Sequence, residues 1–566
     1  MKKSMRLLSA LLALLLCTLG SPAMAADEKS PLYIEGSEGV TLTYWIPMSS
    51  TQTQYFSNLN EHPFWQWMEE QTGVHIEFVH PAEEQMSTQF SLMMASNKFY
   101  DLMFQVEYPD GPQAGVDDGV FADLNQYADL MPNYQAVLRS ENGDYYADWN
   151  EWGPEKELYG LSYKPAYITN ALASDGALWC VTNVNLVSDS YASRGCLIRK
   201  DWLDEAGLDV PETVDELEIV LEAFKQRGPD VIPMNLTETA MQGGCGVFCN
   251  MFDIYPSWYT VDENGQVMVA GFADDHAKDY FALMNKWYEA GYIDPDFMNR
   301  GDVSSGWDSL MLSDRLGILV DANSISPEAY ESRYVGEQNF DLVAMPMTRL
   351  NKDQILHFNN VSSESRVNCY TVLSENCENK EIAAQWLDVL FSKEAYMRAN
   401  YGVEGESYEY DENGVPYFTD WYFNNDTYDV PTLRQLYLVY GSTNWGVNYS
   451  GLLSHRAMSC IGSGELNVET QKTMVPPSLE TFITWTKNSD NALAIGWVSF
   501  EGDEWSKMYD PYTEAATYAN AMALKFITGV EPLDKFEEYQ QKALELGFAE
   551  SRDRMQEAYD KFHAVE

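Results

Sequence analysis

The chain has 566 residues, 45% hydrophobic and 13% aromatic, with 87 Asp and Glu against 35 Lys and Arg for a formal charge of −52. That apolar content excludes a disordered chain, and the length calls for more than one hydrophobic core, so two or more lobes are expected. So much negative charge argues against nucleic acid and against an anionic membrane surface, because both are held by clustered cations; its simplest use is solubility.

At the start, Lys2, Lys3 and Arg6 are followed by an apolar run of 14 residues, Leu7 to Gly20, and by the small residues of Ala23-Met24-Ala25. This is the pattern of an export signal. The run is shorter than the ~18 residues expected of a spanning helix, so residues 1–25 are expected to be cleaved and 26–37 to form a flexible N-terminus. The mature chain would then carry 32 Lys and Arg against 87 acidic residues, a formal −55. Cys17 follows Leu14, Leu15 and Leu16, the wrong company for lipid attachment, so no lipid anchor is expected there. The remaining cysteines are Cys180, Cys196, Cys245, Cys249, Cys369, Cys377 and Cys460, an odd number at low density. They read as buried thiols rather than a disulfide framework. Cys245 and Cys249 have no second ligand pair nearby, so no metal or other cofactor is expected.

Val40–Ile46 reads as a strand and Pro47–Ser50 as the polar loop leaving it. A helix with Phe64, Trp67 and Met68 on one face follows, then a strand Val74–Val79, a helix near Ser87–Ser96 and a strand Leu102–Gln105. The β-α-β-α-β order predicts an α/β architecture with a mainly parallel sheet flanked by helices. Ligands of such sheets sit beyond the carboxyl ends of the strands, which draws attention to the loops after Trp45 and after Phe104. Cys196–Gly228 reads as an extended entry, a charged turn, a short helix and a second helix opened by a Thr213–Glu216 capping box. In that helix Leu217, Val220, Leu221 and Phe224 form one apolar face. Ile318–Asp321 and Phe340–Met345 read as further strands. Two Asp-Glu-Asn-Gly sequences, Asp262–Gly265 and Asp411–Gly414, read as hairpin turns rather than calcium loops. No nucleophile elbow, zinc-helix motif or phosphate loop is present.

Several segments, in order along the chain, resemble extracellular solute-binding protein family 1 of carbohydrate ABC importers, in its large LplA-like subgroup. They are FSLMMASNKFYDLMFQVEY (Phe90–Tyr108), DDGVFADLNQY (Asp117–Tyr127), CLIRKDWLDEAGLDVPETVDELEIVLEAFKQRG (Cys196–Gly228), KWYEAGYIDPDF (Lys286–Phe297), Asn379–Asp420 and the terminal Phe526–Gly547 and Met555–Phe562. The calcium loop of many large relatives is missing: its position reads KQRGPDVIPMNL, too short and too poor in carboxylates. The resemblance implies a two-lobe periplasmic-binding-protein-like fold (type II), each lobe a mainly parallel sheet flanked by helices, with a ligand cleft between. Lobe one would comprise 38–197 and 338–395, and lobe two 198–337 and 396–566. It also implies an exported, monomeric, non-enzymatic protein, extracellular or periplasmic, that binds a carbohydrate and delivers it to ABC permease subunits. Chain length and aromatic content hint at an oligosaccharide.

Sugar recognition needs flat apolar faces and planar polar groups. Strand-end position selects Trp45, Ser49, Ser50, Gln105, Glu107 and Tyr108. Loop context adds Trp258, Tyr259, His357, Asn359, Asn360, Trp445 and Tyr449. With 16 Trp and 36 Tyr in the chain, core packing competes for every aromatic among them. A secreted glycoside-processing enzyme, or a receptor for a peptide or other polar solute, remains open.

Overall fold

The β-rich run around Thr41 opens a sheet, as its alternation of branched and aromatic residues requires. The computed structural model describes residues 29–48, 52–138, 171–182, 184–185, 194–236, 248–254, 259–262, 264–269, 273–300, 307–323, 339–357, 370–412, 416–428, 430–439, 447–448 and 504–563. It also describes 327, 330, 333–334, 336, 414, 468, 480–481, 484–485, 498 and 500. In chain order the strands of the two larger sheets are β1 (Thr41–Trp45), β2 (His75–Val79), β3 (Leu102–Phe104), β4 (Val181–Thr182), β5 (Arg194–Arg199), β6 (Ile232–Met234), β7 (Leu316–Asn323), β8 (Leu342–Met345) and β9 (Tyr370–Leu373).

The first sheet has the order β2-β1-β3-β9-β4. β1 runs parallel to β2 and β3, while β9 is antiparallel to both β3 and β4. The β-α-β-α-β reading holds here: α1 (Pro63–Thr72) joins β1 to β2, and α2 (Met86–Ser96) joins β2 to β3. Pro63 at the first turn and Gly73 in the left-handed cap (φ 73°) set the limits of α1.

The second sheet has the order β8-β5-β7-β6. Only β7 with β6 is parallel; β5 is antiparallel to β7 and to β8. The expectation of mainly parallel sheets is therefore corrected to mixed sheets. In both, strands that enter on crossing segments, β5 and β9, run against their neighbours. The predicted capped helix is α3 (Val214–Lys225): the Glu216 N–H donates to Thr213 Oγ1, and the Thr213 N–H donates to Glu216 Oε2 at 3.2 Å. Lys352 Nζ, 2.9 Å from Glu216, lowers that carboxyl to about 2, and the Glu212 N–H assists. Leu217, Val220, Leu221 and Phe224 are buried, as their spacing predicts. Phe224 lies so close to Gly317 on β7 that a Cβ there would stand 2.3 Å from its ring.

Two clusters of buried side chains correspond to the two sheets, and they redraw the expected lobe boundaries. The sequence boundaries put β8 in the return into lobe one, but it pairs with β5, and Leu342 and Met345 are buried in the second cluster. The expected lobe-two segment 396–566 also begins in the wrong core: Tyr396, Tyr401, Tyr408, Phe418, Tyr422 and Leu433 pack into the first cluster. Among the described residues, the first cluster draws on the segments between 29 and 182 and between 370 and 439, and the second on those between 194 and 357 and on the helices after 504, whose Met508, Met555 and Ala558 form a smaller cluster with Tyr259, Val261 and Val267. On the crossings, Val184–Asn185 pairs in parallel with Val447–Asn448. Both Asp-Glu-Asn-Gly sequences are hairpin turns: the Gly265 N–H donates to Asp262 O and the Gly414 N–H to Asp411 O, each at 3.0 Å. Cys180, Cys196, Cys249 and Cys377 are buried free thiols; Cys245, Cys369 and Cys460 lie outside the described residues.

Candidate functional site

The carboxyl end of β3 is built to hold a kink. Leu102, Met103 and Phe104 are buried, and at Gln105 the backbone turns into the left-handed region (φ 45°), which disfavours any side chain larger than hydrogen. Tyr370 fixes the kink from both sides: its carbonyl accepts from the Gln105 N–H at 2.9 Å, and its hydroxyl donates to Val106 O at 2.9 Å. Val106 points inward, which leaves Gln105 and Glu107 exposed. Strained backbone of this kind concentrates at ligand-contacting positions. Tyr108 is half-buried, edge-on to Phe121, and donates to Asp118 Oδ2 at 2.6 Å; that bond pushes its hydroxyl up to about 12. The Gly111 N–H closes a turn onto Tyr108 O at 3.0 Å, so Gln105 to Asp110 form one short, well-anchored polar rim.

The loop after β1 is anchored differently. His80 Nδ1 lies 2.8 Å from Ile46 O, and the Leu59 N–H donates to His80 Nε2 at 3.2 Å. One nitrogen accepts, so the other must donate: the ring is the neutral Nδ1–H tautomer, and burial lowers its pKa below the ordinary value. Asn58 and Asn60 donate to Phe78 O and Ile76 O, completing a seam between this loop and β2. Protonating His80 would set an N–H against the Leu59 N–H. The stabilisation it supplies is full above the free-imidazole value of about 6.5 and falls as pH drops below that value toward the depressed folded one. Comparing urea midpoints of the wild type and His80→Gln checks this: the gap between them should narrow from pH 7.5 to pH 5, and a constant gap would refute it.

The other sequence candidates separate clearly. Trp45 is 1% exposed and belongs to the lobe-one cluster, because the sheet is covered on both faces even at the strand end. It presents no stacking face, a correction to its assignment. Tyr259 is corrected likewise: it is 1% exposed, packed with Val261, Met508 and Met555, its ring 5.5 Å from that of Tyr512. His357 is half-buried in lobe two, its Nδ1 3.0 Å from Asp253 Oδ1, far in sequence from the β3 rim. Ser49, Ser50, Trp258, Asn359, Asn360, Trp445 and Tyr449 lie outside the described residues. Among the described residues no three His, Cys, Asp or Glu side chains are grouped as metal ligands would be, and no helix is long and apolar enough to cross a membrane.

Sequence reading missed one exposed aromatic feature. The helix α4 (Glu504–Ile527) carries Trp505 and Tyr509, 44% and 39% exposed. Their spacing of four, with Tyr512 three further on, is a helical stripe that could have been found, but Pro511 in its midst conceals the helix.

A model of the bacterial extracellular solute-binding protein family matches residues 49–397. The chain belongs to that family. Lipoprotein LipO of Bacillus subtilis is 26% identical over 408 residues, 68% of this chain and 70% of LipO. A carbohydrate ABC transporter substrate-binding protein of Streptococcus pneumoniae is 25% identical over 353 residues, 60% of each chain. Among solved structures, an extracellular solute-binding protein from Bifidobacterium longum subsp. infantis superposes with a TM-score of 0.66 at 18% identity, covering 95% of this chain and 99% of that one. The two-lobe type II periplasmic-binding fold expected from the sequence is therefore the fold of this member of the family.

Proposed function

We propose that this extracellular solute-binding protein captures an oligosaccharide between its lobes and delivers it to the permease subunits of an ABC importer. The observation that carries this reading is the family match across residues 49–397, joined by a carbohydrate-transporter relative aligned over 60% of its length. The anchored polar rim at Gln105, Glu107 and Tyr108 supports it, since exposed amide and carboxylate groups suit sugar hydroxyls. His357, beside Asp253, is a second polar contact on lobe two. The protein acts as a monomer without catalytic turnover, free outside the cell after cleavage at Ala25, although the LipO relative is named a lipoprotein. Calorimetric titration with a glycan panel tests the reading. Saturable binding without product supports it; hydrolysis of the glycan replaces it with the enzyme reading, and a diacylated Cys17 in the mature protein overturns the unanchored state.

Gln105 offers a sharper check. Glycine has no penalty at φ 45°, so Gln105→Gly is expected to hold or raise stability, by up to about 1 kcal/mol after the entropy of glycine is counted. Glycan affinity should fall at the same time, because the amide is gone. Lower stability with intact affinity would make the kink structural.

A further inference from the structure

We propose that Trp505 and Tyr509 form an outer sugar-stacking subsite on the lobe-two rim, facing the Tyr108–Gly111 turn of lobe one. This rests on the carbohydrate reading above.

The two rings form a stepped surface. Trp505 and Tyr509 lie nearly parallel, 13° apart with centroids at 5.3 Å, and Tyr509 continues to Tyr512 at 24° and 6.1 Å. The outer rings are exposed, whereas the inner end is fixed: Tyr512 packs on Tyr259 and Phe548 at 5.5 and 5.6 Å. Beneath them Met508 is fully buried with Met555. An exposed tryptophan stacked on an exposed tyrosine, held on a rigid base, is a preformed apolar face that costs little entropy to use. A hexose ring fits such a surface, since its C–H face is apolar and its hydroxyls project at the edge.

The position of the stripe connects it to the rim of β3. Phe500 contacts Trp505 edge-on at 5.3 Å, and its carbonyl lies 3.3 Å from where a Cβ on Gly111 would stand. Gly111 ends the turn that begins at Tyr108. Phe500 thus links the aromatic stripe of lobe two to the Gly111 end of this turn in lobe one, where Asp110 is exposed next to Gly111 in the chain and Glu107 is exposed just before the turn. Apolar faces on one side and carboxylate acceptors on the other are the two halves of a sugar subsite. Its exposure marks it as a rim position, reached by the distal units of a longer chain.

The test titrates wild type, Trp505→Ala, Tyr509→Ala and Trp505→Phe with fructo-, xylo-, manno- and pectin-derived oligosaccharides of increasing length. Both alanine variants should fold and lose far less stability than Trp45→Ala, since these rings are partly exposed and the buried Met508 beneath them stays in place. Each should weaken the longer members of the binding series by about tenfold, the scale of losing one aromatic anchor, and leave the shortest binder unchanged. Trp505→Phe should recover most of the loss. A wild type that binds no oligosaccharide overturns the carbohydrate reading and this subsite together. A wild type that binds, with variants unaltered at every length, overturns the subsite alone. Unaltered binding combined with lost permease-dependent uptake would reassign the stripe to transporter docking.

Discussion

Replacing Arg199 with alanine is expected to lower the unfolding free energy by about 3–5 kcal/mol, the scale of removing one partner from a buried ion pair. Arg199 is fully buried. Its Nε and Nη2 donate to the two oxygens of Asp201 at 2.8 and 2.6 Å, and Nη2 also stands 2.8 Å from Asp314 Oδ1. The guanidinium lies 4.7 Å from the Trp202 ring and 4.4 Å from that of Phe340. Asp201 in turn accepts from the Asp341 N–H at the start of β8. One side chain thus ties the end of β5 to the approaches of β7 and β8, and its loss strands Asp201 away from water without a counter-charge. Arg199→Lys keeps the charge but loses the fork and the flat stacking surface, so it should fall between wild type and alanine. Chemical denaturation followed by circular dichroism measures the series. A loss below 1 kcal/mol for the alanine variant would show that the pair relaxes into solvent.

The stretch from Cys196 to Gly228, which carries Arg199 and Asp201, is readable in sequence and yet silent about ligand. Its apolar spacing, capping box and charged turn are local signals, and the structure reproduces each of them at β5, Arg199 and α3. The first β-α-β-α-β unit and both Asp-Glu-Asn-Gly hairpins were legible for the same reason: neighbours in sequence make them. Lobe membership was not legible. Leu342–Met345 is a short apolar strand that would suit either sheet, and only its pairing with β5, distant in sequence, assigns it. The aromatics of 396–439 could likewise cover either core. For the site, strand-end position led to the exposed Gln105 and Glu107 and also to Trp45, which is buried because a strand end can still lie beneath covering elements; loop context led to Tyr259, whose ring packs inside against Met508 and Met555. Trp505 was missed because its setting is a helix whose interior proline argues against a helix in sequence.

Trp45→Ala is the experiment on which the two readings of that residue diverge most. As a core residue at 1% exposure, aligned with Val79 on β2 and Met103 on β3, its truncation should cost about 3–5 kcal/mol, the range for removing a buried large aromatic. Trp45→Phe fills most of the cavity and should cost much less. Glycan affinity of the folded variant should stay at the wild-type value, because the side chain meets no solvent through which a sugar could reach it. A stacking platform would behave in the opposite way, with affinity lost and stability kept, since an exposed ring can be removed without leaving a cavity. The same pair of measurements on Trp505→Ala should give that opposite pattern. Trp45 and Trp505 therefore serve as mutual controls: the buried ring should change the denaturation midpoint and the exposed ring the binding isotherm. If both variants lost stability and neither lost affinity, the aromatic contribution to ligand capture would have to come from elsewhere in the chain.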